Sequence, residues 1–284
     1  MAAVEGVVFI RNLKNALFKA LVIILALVST IPLLLILFYI CRQGVASINW
    51  QFLVTLPKPV GEVGGGIANA MVGTLILVAI SSLLSAPLGI SVGIYLTEFG
   101  TGKVAEWVRM SMEVLQGIPS IVIGIIAYLW IVQPLGIFSA FSGGVALALM
   151  MLPFIVRTTE ETLRLVPESV KEASLALGVP YYRTVLKVIL PAGLSGIITG
   201  VLVSMTRVAG ETAPLLFTAF GNPFMNYNIF KPIHSLPLLI FNYAISPYEE
   251  WHSLAWGASF VLVVFVLILN LTSKVLARRW KVRY

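Results

Sequence analysis

The chain has 284 residues, 59% of them hydrophobic and 11% charged, with a formal net charge of +7. A water-soluble domain carries about 25% charged residues, so this composition excludes a globular surface in water and suits one that faces lipid. The single cysteine, Cys41, excludes an internal disulfide or a cysteine-based metal cluster, and the two histidines, His234 and His252, are too few for a histidine-rich metal site. No cofactor is implied.

A membrane-crossing helix needs about 20 mostly apolar residues. Six stretches meet this, near 20–40, 70–95, 112–131, 143–156, 188–219 and 254–271. The fourth needs flanking residues to reach full length, and the fifth is interrupted by polar ones. The first exceeds the ~7–15 apolar residues of a signal peptide and reads as a retained anchor. The expectation is an all-α integral membrane protein with six transmembrane helices. Residues 1–60 form an N-terminal segment, the first span and the start of an external loop; residues 61–284 form the main transmembrane domain.

With six spans both termini share a side, which holds 15 Lys and Arg residues against 3 on the other (Arg42, Lys58 and Lys231). Cationic loops stay in the cytoplasm, so both termini are expected there, in the cell membrane. This distribution accounts for the net charge without nucleic acid. Pro87, Pro119, Pro153, Pro191 and Pro214 fall in spans, where each removes a backbone donor and favours a kink.

The longest cytoplasmic connection, about 157–187, encodes two short helices. Pro167 and Glu168 suit a helix start, Gly178 a stop, and Pro180 a second start. Between them Ala173, Ser174 and Ala176 keep side-chain bulk low, so a partner can approach closely. Glu172-Ala173-Ser174, three residues, Gly178, nine residues, then Val188-Ile189-Leu190-Pro191 resembles the signature loop of ABC importer permeases, with Ser174 and Val188 as conservative departures. The resemblance implies that Glu172, Ala173, Ser174 and Gly178 lie on a coupling helix that docks into an ATPase subunit. The chain has no G-x-x-x-x-G-K-[ST] loop, and Gly64-Gly65-Gly66 lacks the lysine. The permease is therefore expected to be non-catalytic, with ATP hydrolysis in a separate polypeptide.

The fifth span carries Arg207 and Glu211, four residues apart and expected on one helical face, with Ser204 one turn earlier and Thr212 next in the chain. A charge in the bilayer core costs at least about 2.5–3.5 kcal/mol, so these residues face a partner or a water-filled path. One reading is an ion pair that locks helix packing. The other is an anion path, since the planar guanidinium suits phosphate oxygens. Glu113 is expected at the cytoplasmic edge beside Arg109.

The blocks 65–100, GIPSIVIG, RTTEETLRLVP, EASLALGVP and TRVAGETAPLLFTAFGNP together resemble the PstA-type permeases of phosphate importers. That resemblance implies an ABC type-I importer bundle moving inorganic phosphate by alternating access. Its partners would be a homologous second permease, an ATP-binding cassette ATPase dimer and an extracytoplasmic phosphate-binding protein. The substrate path would run by Arg207, Glu211, Ser204 and Thr212. The residues alone leave open another oxyanion, such as sulfate or molybdate, and a secondary transporter that needs no ATPase. Residues 1–60 and the external loop, about 220–253, carry less of the resemblance.

Overall fold

The computed structural model describes residues 2–62 and 64–279, with side chains described for 11–62 and 64–276. Lys281 and Arg283, counted above in the charge bias, lie outside the described residues, as do the side chains of Arg278 and Arg279. In chain order the helices are α1 (Ala2–Ser47), α2 (Trp50–Val54), α3 (Ala68–Glu98), α4 (Lys103–Gly117), α5 (Ser120–Ala127), α6 (Gln133–Leu135), α7 (Ala140–Arg164), α8 (Glu168–Ala176), α9 (Tyr181–Thr184), α10 (Leu190–Val208), α11 (Ala213–Leu216), α12 (Leu236–Ala244) and α13 (Glu249–Arg279). Two π-helical stretches, Tyr128–Val132 and Val185–Ile189, join α5 to α6 and α9 to α10. Each runs up to a proline, Pro134 or Pro191, whose ring crowds the preceding turn and which lacks a donor; a widened turn makes room for it.

Five helical stretches are long and apolar enough to cross a membrane, and the bent pair Lys103–Gly117 and Ser120–Leu135 makes a sixth. The third span departs from the sequence expectation. The apolar run predicts it at 112–131, but Met112 lies in α4 and the span begins at Ser120. Pro119 holds Ile118 extended (φ −71°, ψ 129°), and the chain turns by 107° there. The fourth span is longer than its apolar stretch: α7 continues to Arg164, so the first residues of the 157–187 connection are still helix. For the fifth, the sequence predicts one interrupted stretch, 188–219. Its helix ends at Val208, and residues 209–212 turn into the short α11.

Glycines set the packing. Between lipid-soluble helices there is no hydrophobic drive to associate, so close backbone approach through small residues carries the contact. A Cβ on Gly89 would sit 2.7 Å from Ile155 and one on Gly93 2.5 Å from Thr159, while Gly143 meets Leu77. These contacts advance together along both chains, so α3 and α7 run parallel. Gly193 abuts Leu163, Gly196 abuts Thr162, and Gly200 abuts Thr158, a descending order that makes α10 antiparallel to α7. Leu77, Ile123, Leu147, Met151, Ile155, Leu215 and Leu238 form the core between α3, α5, α7, α11 and α12. A second cluster, on the other side of α12, joins Phe52, Ile67, Leu239, Tyr243 and Ala258.

The loop after α11 folds back over the start of α7. The first amides of that helix have no intrahelical acceptor. Loop carbonyls supply one each: Ala140 donates to Lys231 (3.0 Å) and Phe141 to Ile229 (2.8 Å). Thr74 accepts from the Leu236 amide at 2.9 Å, and Asn69 donates to the Asn222 carbonyl at 2.7 Å, tying the loop to α3. α1 stays at the periphery: Leu21, Leu25, Leu33 and Ile36 are exposed, and only its last turns meet α13, where Gly44 lies against Phe260.

Candidate functional site

Arg207 occupies the last turn of α10, on an exposed face of the chain. The position suits its charge, because the free carbonyls of a helix C-terminus carry partial negative charge. Gly210 and Glu211 donate back to the carbonyls of Arg207 and Val208 at 3.3 and 3.1 Å, which closes the helix. The guanidinium carbon lies 4.2 Å from the centroid of the Phe154 ring on α7, a cation–π contact. Phe154 sits near the middle of α7, so Arg207 lies well inside the depth of the bundle.

Glu211 does not pair with Arg207. Among the described residues four ion pairs form, and none of them joins these two. The one-face expectation assumes a continuous helix; α10 instead stops at Val208, and Glu211 lies beyond it, near Ser120 at the start of α5 and still within reach of the Arg207 charge. Ser204 is buried against α7, and its hydroxyl donates to the Gly200 carbonyl at 2.8 Å. Thr212 caps α11, its carbonyl accepting from Leu215 and Leu216. The structure thus leaves Arg207 open, holds Glu211 at the α5–α11 contact, and turns Ser204 inward. Phe154 was absent from the sequence reading, because nothing local marks a ring as the partner of an arginine on another helix.

α8 forms the second candidate surface. Glu172 and Ala173 are exposed, as is Leu177 at 84%. Ser174 is the buried member of the motif, sharing a 2.9 Å hydrogen bond with Thr184 of α9. Gly178 has φ +77°, a conformation that L side chains rarely adopt, and its amide donates to Leu175 at 2.9 Å. Lys171 reaches Glu98 at the end of α3, with Nζ 2.7 Å from Oε2, and the Tyr181 hydroxyl donates to the same oxygen. The hydrogen bond to Glu98 holds the Lys171 ammonium above the usual lysine range. At the same end, Glu160 receives both Arg109 (2.9 Å) and Arg164 (2.6 Å). Glu113 lines an open hollow of about 190 Å³ with Arg109, Gln116 and Arg157.

A family profile described as "Binding-protein-dependent transport system inner membrane component" matches residues 85–282, from within α3 to the C-terminal residues. The chain belongs to that family. Within it, the chain is similar to the phosphate transport system permease protein PstA of Yersinia pestis, at 39% identity over 95% of this chain and 92% of that one. It is 43% identical to the protein of the same name from Xylella fastidiosa (strain 9a5c), over 84% of each. Among solved structures it resembles a chain of the MetNI methionine ABC transporter in an inward-facing form, with a TM-score of 0.64 and 22% identity over 76% of this chain and 96% of that one. That likeness concerns the fold of an ABC importer permease. As an inner membrane component of a binding-protein-dependent ABC system, the permease is a multi-pass, non-catalytic subunit that works with an ATPase and a binding protein.

Proposed function

We propose that this chain, a permease subunit of an ATP-driven phosphate importer, carries the anion along the exposed face of Arg207, where it meets a homologous second permease. The observation that carries the reading is an exposed arginine at mid-depth, held by an aromatic ring and, among the described residues, by no carboxylate ion pair. Lipid cannot cover that face, since an arginine in hydrocarbon costs at least about 2.5–3.5 kcal/mol. A second subunit enclosing water satisfies the charge and leaves its donors free for phosphate oxygens. α8, with Glu172, Ala173 and Gly178, is the surface offered to an ATPase dimer. Closure of that dimer moves the bundle and changes which side reaches Arg207. Both termini face the cytoplasm, in line with the Lys and Arg bias.

The test is phosphate uptake by the assembled complex in proteoliposomes. Arg207→Gln should abolish uptake while the complex assembles and still binds ATP. Normal uptake by the variant would overturn the path. Competition by unlabelled sulfate or molybdate as strong as that by phosphate would move the substrate to the wider oxyanion class.

A further inference from the structure

α4 presents apolar side chains on two opposite faces. Its inner face buries Ala105 and packs Val108 and Met112 against Leu96 and Val156. Its outer face exposes Trp107 (66%), Met110 (53%) and Val114 (58%), with the exposed Lys103 at its start. At about 100° per residue, Glu106 and Glu113 fall together on a strip between the two faces. The strip on the other side, around Val104, Ser111 and Leu115, carries no charge.

We propose that α4 is a membrane-surface helix, with Trp107, Met110 and Val114 seated in the boundary between phospholipid headgroups and chains, at the same end of the bundle as α8. Three observations converge on lipid as the occupant. First, α4 is turned by 107° from the Ser120–Leu135 span, so a span near the membrane normal leaves α4 close to the membrane plane. Second, Arg109 fixes its depth: Nε donates to Glu160 at 2.9 Å, and the two terminal nitrogens donate to the Gly100 and Leu96 carbonyls, each at 3.1 Å. The helix is thereby pinned where α3 leaves the bundle. Third, the outer face continues into exposed apolar residues of the next span, Ile121, Val122 and Ile125. A helix with a carboxylate strip on one flank, an exposed lysine at its first position able to reach the headgroups, a tryptophan and an otherwise apolar outer face, lying in that plane, has the chemistry of an interfacial anchor. Glu106 and Glu113 then point to water.

The experiment uses the assembled importer in phosphatidylethanolamine–phosphatidylglycerol nanodiscs, with Cys41→Ser as background. Spin labels are placed at 107, 111 and 114 and, for contrast, at 106 and 113, and their collision rates with oxygen and with a nickel chelate are compared. The oxygen-to-nickel ratio should be several-fold higher at the first three positions than at the last two. Low collision rates with both reagents at 107 and 114 would mean that a protein, such as the second permease, covers the face, and would overturn the proposal. Nickel-dominated collisions there would place the face in water and overturn it equally. Trp107→Phe provides an arm without labels: brominated lipid should quench less fluorescence in that variant than in the parent. Equal quenching would also count against lipid contact.

Discussion

The Glu98 carboxylate holds the Lys171 ammonium at 2.7 Å, joining the last residue of α3 to the middle of α8. Glu98 is nearly buried, with 4% of its side chain exposed, and it also accepts from Tyr181 at the foot of the fifth span. One carboxylate therefore ties α8 to two spans at once. A push on α8 reaches both without passing through a flexible loop.

Replacing Glu98 by Gln keeps the size and removes the charge. Uptake by the reconstituted complex should fall at least about tenfold, the equivalent of about 1.4 kcal/mol, while ATP hydrolysis continues. Glu98→Asp should recover part of the coupling. Parallel loss of hydrolysis and uptake would show a general folding defect instead.

Gly178→Val forces a β-branched side chain into φ +77°, which costs about 1–2 kcal/mol for an L-residue. The space around Gly178 is open, with nothing within 4 Å of an added Cβ, so the backbone and not a clash carries the penalty. The turn between α8 and α9 should shift. ATP hydrolysis per phosphate transported should rise, or the ATPase should fail to co-purify. Unchanged stoichiometry and assembly would remove Gly178 from the coupling surface.

Phe154→Leu withdraws the ring from the Arg207 guanidinium, an interaction worth about 0.5–2 kcal/mol. The arginine remains, so transport should persist with an apparent affinity for phosphate weakened by about 2- to 30-fold, that energy range expressed as a ratio. Substrate-dependence curves of uptake measure this. An unchanged affinity would mean that the ring plays no part in placing the cation.

His234 gives the fold an acid limit. Burial pushes its imidazole from 6.5 down to about 4. Between those values the unfolded chain takes up a proton that the folded chain does not. The contribution to stability is present above pH 6.5 and lost as pH falls towards 4, by up to about 1.4 kcal/mol per pH unit. Thermal unfolding in detergent should show a steeper loss across this window for the parent than for His234→Gln. Gly73→Ala should disturb the same loop at neutral pH, because its Cβ would overlap the His234 carbonyl.

Much of this was legible in the sequence where a signal is local. Gly178 ends α8 and Pro180 starts the next helix, because glycine tolerates positive φ and proline suits a first turn. The spans followed from apolar length, but their ends did not. Met112, Val114 and Leu115 are apolar enough to merge with the next segment, so the bend at Pro119 was hidden inside a hydropathic run. Arg207 and Glu211 look like a helical pair, but the helix ends between them, at Val208. Glu98 and Lys171 lie 73 positions apart, and only the parallel packing of α3 on α7 brings the end of one beside the loop that leaves the other.

The bend at Pro119 also shortens what remains to cross the bilayer. Ser120–Leu135 extends about 24 Å at about 1.5 Å per residue, against a hydrocarbon core of about 30 Å. A span this short is met by thinning of the surrounding lipid, by snorkelling of flanking residues or by packing against another subunit. Where thinning is the response, acyl-chain length should become a variable of transport, with shorter lipids favouring this flank and longer ones opposing it.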